Sequence, residues 1–452
     1  MKIPYSIQDK VSYELFNILQ EISYRFEKNG YECYFVGGFI RDLLLERKKT
    51  FEDIDISTNA RPEEVMKLFP KVIPTGIKHG TVTILYKGLT IECTTYRKES
   101  QYSDHRRPDK IEYSKTIYED LSRRDFTINA LAYNIKKQEL IDEFNGIEDL
   151  KNQLIRSIGN PKDRFLEDGL RPIRACRFMA TLEFEIEQNT KNAILDKDVR
   201  VAIQSISIER FTEELKKGFK AKKTSLMLKS LYELKILHLF LENDLYEKIP
   251  EDFYYYLDCL LNENLKMSYW FWYQKFDLKK ISKKLKFSNK LMKIIEIYIL
   301  YINIYLEYHP FNQFDDKDLQ NLKNKNLDVL KKYQKELLII YKKFLGKLKK
   351  ELFAEKEEIF KNLSLFIKQN YYNLKEKKID ELELLNLFYD WLRYVINNEP
   401  LITTDLAING DDIKTLGFTG KEIGLKLNEI LEYVLEYPEH NSKKILLEKL
   451  KP

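Results

Sequence analysis

Asp53 and Asp55 are separated by a single residue in the stretch Thr50-Phe51-Glu52-Asp53-Ile54-Asp55-Ile56-Ser57. Successive side chains of a strand alternate faces, so the two carboxylates project together while Ile54 and Ile56 anchor the other side. Two neighbouring negative charges repel unless a cation lies between them. Oxygen ligands beside phosphate point to Mg²⁺, and a two-metal arrangement can hold an attacking oxygen and a nucleotide's phosphates in line for displacement. The competing account is a pair of surface acids ending an edge strand. A third carboxylate, Glu92, falls on the second strand of a hairpin read over residues 76–86 and 89–96, turned at Lys87-Gly88. Thr90 and Thr94 share its face, and in a common sheet Glu92 completes the acidic set.

Upstream, the apolar strand Cys33-Tyr34-Phe35-Val36 runs into Gly37-Gly38-Phe39-Ile40-Arg41-Asp42 and a helix-like Leu43-Leu44-Leu45. Strand, two glycines and helix make a phosphate-binding arrangement: glycine lets the backbone approach, and the helix N-terminus offers free N–H groups. Arg41, one turn in, is within reach of a triphosphate. A plain glycine turn with a surface arginine is the alternative.

Downstream, Thr116-x-x-Glu119 has the spacing of a capping box and leads into Glu119-Asp120-Leu121-Ser122-Arg123-Arg124-Asp125-Phe126-Thr127-Ile128-Asn129-Ala130. Adjacent arginines on a helix point apart, so one can pair with acids of the fold while the other faces nucleotide; a salt-bridged surface helix is the competing account. A further helix is expected over residues 163–180, kinked or broken at Pro172. On it, Asp168 and Arg171 are three apart and share a face. A carboxylate accepts from an exocyclic amine, and a guanidinium donates to a ring nitrogen. Cytosine and adenine present that amine and nitrogen, whereas uracil and guanine present a carbonyl and a ring N–H. The pair therefore accepts C and A and rejects U and G, at about 1–3 kcal/mol per mismatch. Arg174 and Arg177 extend the basic face toward phosphates or RNA; an intrahelical ion pair is the competing account.

These residues need elements to hold them. Apolar spacing predicts a helix over residues 8–28, and Arg61-Pro62-Glu63-Glu64 opens a short one. Residues 97–117 turn polar and aromatic, and a loop of that length in a compact domain points to a mobile segment over the site. Beyond Ser205 the chain is helical almost throughout, with helices expected from Ser207 and over residues 225–241. Residues 251–399 are dense in Lys, Leu, Tyr and Phe and carry no catalytic motif; core packing accounts for most of their aromatics.

A chain of 452 residues with 44% hydrophobic and 33% charged residues has a soluble globular composition and room for several domains. Its net charge of +5 suits a nucleic-acid partner. Cys33, Cys93, Cys176 and Cys259 are scattered with no C-x-x-C pair, which argues against a zinc site or disulfide framework and fits a reducing cytoplasm. The first residues do not resemble a signal peptide. The most apolar run, residues 294–306, is short and carries Glu296 and Asn303, so no membrane span is expected.

Together, Gly37-Gly38-x-x-Arg41-Asp42, Asp53-x-Asp55, Arg123 through Ala130, and Glu167-Asp168-x-x-Arg171-x-x-Arg174-x-x-Arg177-Phe178 resemble the class II tRNA nucleotidyltransferase and bacterial poly(A) polymerase family. The resemblance covers about the first 180 residues. It implies an α+β fold: a small polymerase-β-like nucleotidyltransferase head of mixed sheet and helices, then an all-α neck, body and tail. The corresponding boundaries are 1–150 for the head, 151–240 for the neck, 241–400 for the body and 401–452 for the tail. It implies Mg²⁺ at Asp53 and Asp55, with Glu92 as our candidate third catalytic carboxylate, and nucleotide contacts from Gly38, Arg41, Arg124, Asp168, Arg171, Arg174 and Arg177. Tyr102-x-Asp104-x-Arg106-Arg107-Pro108 resembles the flexible loop of members that add the terminal A. Leu406-Ala407-Ile408-Asn409-Gly410 and Gly417-Phe418-Thr419-Gly420 resemble the tail with which bacterial CCA-adding members grip tRNA. The expected activity is addition of CCA to tRNA from CTP and ATP, with contacts to the acceptor end and elbow. The alternatives are an A-adding enzyme acting on CC-ended tRNA, a poly(A) polymerase, and a non-catalytic RNA-binding protein.

Overall fold

The computed structural model describes residues 2–47, 54–100, 110–241, 245, 249–307, 335–363 and 392–451. Asp53 and the 102–108 segment lie outside them. The chain divides into two compact units, Met1–Asn243 and Asp244–Pro452.

The first unit is built on an eight-stranded sheet. Its strands are β1 (Lys2–Pro4), β2 (Tyr34–Val36), β3 (Ile54–Thr58), β4 (Val72–Gly76), β5 (Thr81–Tyr86), β6 (Leu89–Thr95), β9 (Leu131–Asn134) and β10 (Glu139–Asp142), in the spatial order β1-β10-β9-β2-β3-β6-β5-β4. β3 and β6 run parallel and the other neighbours antiparallel, so the sheet is mixed as expected. The expected hairpin is β5–β6; its turn residues Lys87 and Gly88 both have positive φ, 46° and 80°, matching the right-handed strand twist. Strands β1, β4, β9 and β10 had no clear sequence signal. β1, β9 and β10, of three or four residues, are too short to display a period of two, and β4 is interrupted by Pro74 and a register shift between Ile73 and Gly76.

Residues 97–117 are not one loop. Their ends pair antiparallel as β7 (Arg97–Ser100) and β8 (Lys110–Tyr113). Helix α1 (Tyr13–Lys28) starts later than periodicity suggested, because Ser12 caps it by accepting from the Leu15 N–H at 3.2 Å. It buries Leu19, Ile22 and Phe26, the last against Phe69, with ring centroids 5.6 Å apart. Helix α2 (Gly38–Leu44) follows β2 directly, and α3 (Pro62–Leu68) opens at its proline. Helix α4 (Ile117–Ser122) is capped by Thr116 as expected, but it ends before the two arginines.

After α5 (Gly146–Lys151), the expected 163–180 helix is two: α6 (Pro161–Glu167) and α7 (Leu170–Leu182). The break is at Asp168-Gly169, not at Pro172, which falls in the first turn of α7, where a missing N–H costs nothing. Gly169 explains the location. A Cβ there would stand 2.2 Å from the Ala202 carbonyl oxygen, so only glycine lets this joint sit against α9 (Lys197–Gln204), which follows α8 (Gln188–Ile194). Helix α10 (Ile208–Phe219) buries Phe211, Leu215 and Phe219. The helix expected over 225–241 is also two, α11 (Thr224–Glu233) and α12 (Ile236–Leu241), parted at Lys235 with φ 54°.

The second unit is helical in its described residues. Helices Glu263–Tyr273, Asn289–Glu307 and Lys335–Leu352 share a core that includes Tyr298, Tyr301, Phe344 and Leu348. A smaller cluster of Leu406, Ile413, Ile430, Val434 and Leu446 holds the last helices together. Among the described residues, no helix is long and apolar enough to cross a membrane.

Candidate active site

Asp55 lies on β3 between Ile54 and Ile56, each only 1% exposed, so the alternation read from sequence is the one the sheet uses. Its register partner on β6 is Glu92. Register neighbours on parallel strands share a face, and both carboxylates line one cavity. Asp55 is half-buried and Glu92 exposed. Carboxylate oxygens side by side are a hard donor set suited to Mg²⁺. Among the described residues, no three His, Cys, Asp or Glu side chains cluster closely enough to hold a metal ion; Asp53 lies outside that set.

The turn from β2 to α2 crosses directly over Asp55. Gly37 has φ 70°, and a Cβ on it would meet Asp55 Oδ2 at 3.1 Å and Arg124 Nη1 at 3.2 Å. Glycine is required there by backbone conformation and by space. Gly38 and Arg41 line the same cavity. Arg41 is anchored: its Nε donates to Asp42 Oδ1 at 2.9 Å and its Nη1 to Asn129 Oδ1 at 2.7 Å.

Both Arg123 and Arg124 reach the same buried acid, a departure from the expected division of labour. Arg123 donates to Asp120 Oδ1 from Nε and Nη2, at 2.9 and 2.7 Å, and Arg124 Nη2 donates to Asp120 Oδ2 at 3.3 Å and to Ser57 Oγ at 3.2 Å. Helix α4 ends at Ser122, so the two arginines fold back onto Asp120 in place of diverging. Burial raises the Asp120 carboxyl pKa, and the charges of Arg123 and Arg124 overcome it, leaving the acid ionised below its ordinary range. Arg124 still lines the cavity, and its Nε is buried without an acceptor.

Asp168 and Arg171 line the cavity but do not share a helix face, and neither holds the other's side chain. Asp168 is extended, with φ −143°, beyond the end of α6. Its Oδ1 accepts from the Leu170 N–H at 3.0 Å and its Oδ2 from Arg210 Nη2 at 2.8 Å. Arg171 donates to the Arg164 carbonyl, to Glu167 Oε2 and to the Arg123 carbonyl, at 2.7, 2.7 and 2.9 Å. Three of its five N–H donors are thereby spent. The break at Gly169 separates the two residues locally while both still open on the same space.

Arg174 and Arg177 are held by acids from elsewhere. Arg174 donates to Asp125 Oδ2 from Nε at 2.8 Å, with Nη2 at 2.7 Å from the same oxygen. Arg177 Nε donates to Glu214 Oε2. Burial raises the Asp125 carboxyl, but Arg174, the Asn129 amide and Arg171 outweigh it and bring its pKa to about 2. Glu214 is lowered in the same sense, with burial opposed by Arg177, Arg174 and Lys217. The guanidiniums of Arg41, Arg174 and Arg177 gather over the Phe178 ring, at 5.4, 5.4 and 4.0 Å from its centroid.

The cavity measures about 1290 Å³. Its described lining carries nine cationic side chains, Arg41, Arg97, Arg123, Arg124, Arg171, Arg174, Arg177, Arg210 and Lys217, against Asp55, Glu92, Asp125 and Asp168. Such an excess focuses a positive potential suited to a polyphosphate. Arg210, Asp125, Asn129 and Lys217 were not singled out from the sequence. Only the Asp125 and Asn129 positions lay within a recognisable motif; nothing local to Arg210 or Lys217 marks them.

Residues 33–156 match the family model of the poly(A) polymerase head domain, and residues 183–244 match the probable RNA and SrmB-binding site of polymerase A. The chain is also 48% identical over 225 residues to a CCA-adding enzyme of Lactobacillus helveticus, covering 50% of this chain and 53% of that one. A Geobacillus CCA-adding enzyme is 44% identical over 224 residues, 50% of this chain and 52% of the relative. The chain thus matches about half the length of these curated relatives. Among solved structures, the Bacillus stearothermophilus CCA-adding enzyme in complex with CTP aligns over 96% of this chain and 97% of its own, with a TM-score of 0.69 and 25% identity. A Thermotoga maritima CCA-adding enzyme complexed with tRNA aligns over 100% and 98%, with a TM-score of 0.55 at 21% identity, a likeness of fold alone. The cavity is lined by residues of the stretch that matches the head model and of the helices that follow it.

Proposed function

We propose that the protein adds CCA to the 3′ end of tRNA from CTP and ATP by template-independent nucleotidyl transfer. The reading rests chiefly on one observation: Asp55 and Glu92 share a cavity with Gly38, Arg41 and the Asp168–Arg171–Arg210 set. Asp53 and Asp55 would hold Mg²⁺, which when bound supplies Lewis-acid activation of the 3′-hydroxyl and neutralisation of the departing pyrophosphate. Glu92 adds a carboxylate beside Asp55.

The chain's own groups divide the remaining work. Gly38 admits the triphosphate close to the backbone, and Arg41, Arg124, Arg174 and Arg177 neutralise it. The buried Arg124 Nε, which meets no acceptor among the described residues, has a phosphate oxygen as its natural partner. Asp168 keeps acceptor capacity beyond its bonds to Leu170 and Arg210, and Arg171 keeps two N–H donors. An amine beside a ring nitrogen satisfies both residues; a carbonyl beside a ring N–H leaves both mispaired. Because their other bonds are fixed, the two groups are pre-oriented when the base arrives, which lowers the ordering cost of recognition.

Within this reading, residues 1–150 carry the chemistry, 151–240 select the base, and the helical 241–400 and 401–452 bear on tRNA, in the cytoplasm. The test is incubation of purified protein with tRNA lacking CCA and with tRNA ending in CC, each with radiolabelled CTP or ATP. Incorporation of C and A on the first is expected. A-only addition to the second identifies an A-adding enzyme, long A tails identify a poly(A) polymerase, and no incorporation on either rejects catalysis.

A further inference from the structure

The second unit has a cavity of its own, about 470 Å³, within the size range of small-molecule sites. Its wall includes Phe271, Trp272, Tyr273 and Phe276, consecutive or nearly so at the end of helix Glu263–Tyr273 and in the turn after it. Phe271 and Phe276 are buried, whereas Trp272 and Tyr273 keep part of their surface exposed. The Trp272 indole donates to Asn303 Oδ1 at 2.8 Å, which orients both side chains. Asn303 lines the same cavity, and its amide nitrogen retains donors for another acceptor.

Charge surrounds these rings. Exposed Lys275 is part of the wall, and Leu278, also in the wall, begins the helix Leu278–Leu285. That helix reads LKKISKKL, buries Ile281 and Leu285, and leaves Lys279, Lys280 and Lys283 exposed. Residues 271–290 hold seven lysines and one acid, Asp277. Partly exposed aromatic faces beside a dense cationic ridge, with one oriented amide at the mouth, are the components of a single-strand nucleic-acid site. A membrane surface would call for an apolar face on the lysine helix itself, and here that face is turned inward.

We propose that this pocket takes an unpaired base of an RNA strand, stacked on Trp272 and Tyr273, with the adjoining phosphates on Lys275 and the lysine helix. The inference rests on the function proposed above only in taking RNA as the partner; the pocket shares no residue with the nucleotide cavity. Stacking is sequence-tolerant, so the pocket would fasten the RNA without reading its sequence.

The test uses the full chain and fluorescein-labelled tRNA lacking CCA, with affinity measured by anisotropy over a KCl series. Trp272→Ala is expected to weaken binding about tenfold, the loss of one stacked base. Lys279→Glu/Lys283→Glu, on the solvent side of its helix, is expected to flatten the slope of log affinity against log salt by about 1.4, two single-strand phosphate contacts. This pair leaves the core untouched, so it decides the matter should Trp272→Ala prove unfolded by circular dichroism. Irradiating the wild-type complex with 4-thiouridine-substituted tRNA is expected to crosslink peptides within residues 271–303. Wild-type affinity and slope in the lysine pair, or crosslinks confined to other regions, overturn the proposal. So does displacement of the crosslink by free CMP or AMP but not by single-stranded RNA, which would make the pocket a mononucleotide site. Incorporation of CTP and ATP is measured in parallel. A protein that crosslinks here but incorporates nothing loses the catalytic reading and keeps the pocket; unchanged binding with intact incorporation does the reverse.

Discussion

Replacing Asp125 by Asn removes the charge that holds Arg174 at the cavity wall. Asp125 accepts three hydrogen bonds, from the Phe126 N–H at 2.8 Å and Asn129 Nδ2 at 3.0 Å on Oδ1 and from Arg174 Nε at 2.8 Å on Oδ2, and Arg174 Nη2 lies 2.7 Å from that last oxygen in the ion pair. The carboxyl is 8% exposed as a residue. Its pKa falls from 3.8 to about 2 on folding, with burial opposing and Arg174 prevailing. A drop of just under two pH units is worth about 2.5 kcal/mol at neutral pH. Breaking a buried pair by removing one partner costs about 3–5 kcal/mol, so Asp125→Asn is expected to destabilise the protein by about 2.5–4 kcal/mol. The sign with pH follows from the depressed pKa: the contribution is complete above the unfolded value near 4 and is lost as pH falls toward 2. About half should be gone by pH 3. Urea unfolding followed by circular dichroism at pH 7, 5 and 3 measures the gap between wild type and variant. A gap below about 1 kcal/mol at pH 7, or one that does not narrow between pH 5 and 3, refutes the argument. A double-mutant cycle with Arg174→Gln should return a coupling of at least about 1 kcal/mol.

Three further outcomes are expected. Gly169→Ala places a Cβ 2.2 Å from the Ala202 oxygen and 2.8 Å from the Ile203 nitrogen; with backbone on the far side, the cost should reach the upper end of overpacking, about 3 kcal/mol, and a wild-type urea midpoint would contradict it. Arg210→Gln removes the 2.8 Å bond to Asp168 Oδ2, so the preference for CTP over UTP should fall about tenfold in single-turnover incorporation, while the fold by circular dichroism is kept. Asp55→Ala should abolish incorporation of both nucleotides without unfolding the sheet, since Ile54 and Ile56 supply the strand's buried face; residual activity above about 1% would remove Asp55 from the metal-binding role.

What was legible in the sequence was local. The alternation of Ile54, Asp55 and Ile56 already assigned Asp55 to the open face of its strand, because side-chain direction in a strand follows from the backbone itself. The Gly37-Gly38 turn and the Thr116 cap were legible for the same reason. The break between α6 and α7 was not, because Gly169 is demanded by the Ala202 carbonyl on another helix, 33 positions along the chain. Nor did spacing reveal which acid each arginine chooses. Asp168 is held by Arg210 across 42 positions and Asp125 by Arg174 across 49, although Arg171 lies only three residues from Asp168. Periodicity dictates the face a residue occupies; the partner it meets depends on which helices the core brings together. The sequence by itself determined the carboxylate strand, the glycine turn and the arginine-rich helix. Only the tertiary structure decided that Asp168 and Arg171 would be fixed by separate partners yet open on one cavity, since ion pairs are chosen by distance in space and not by separation along the chain.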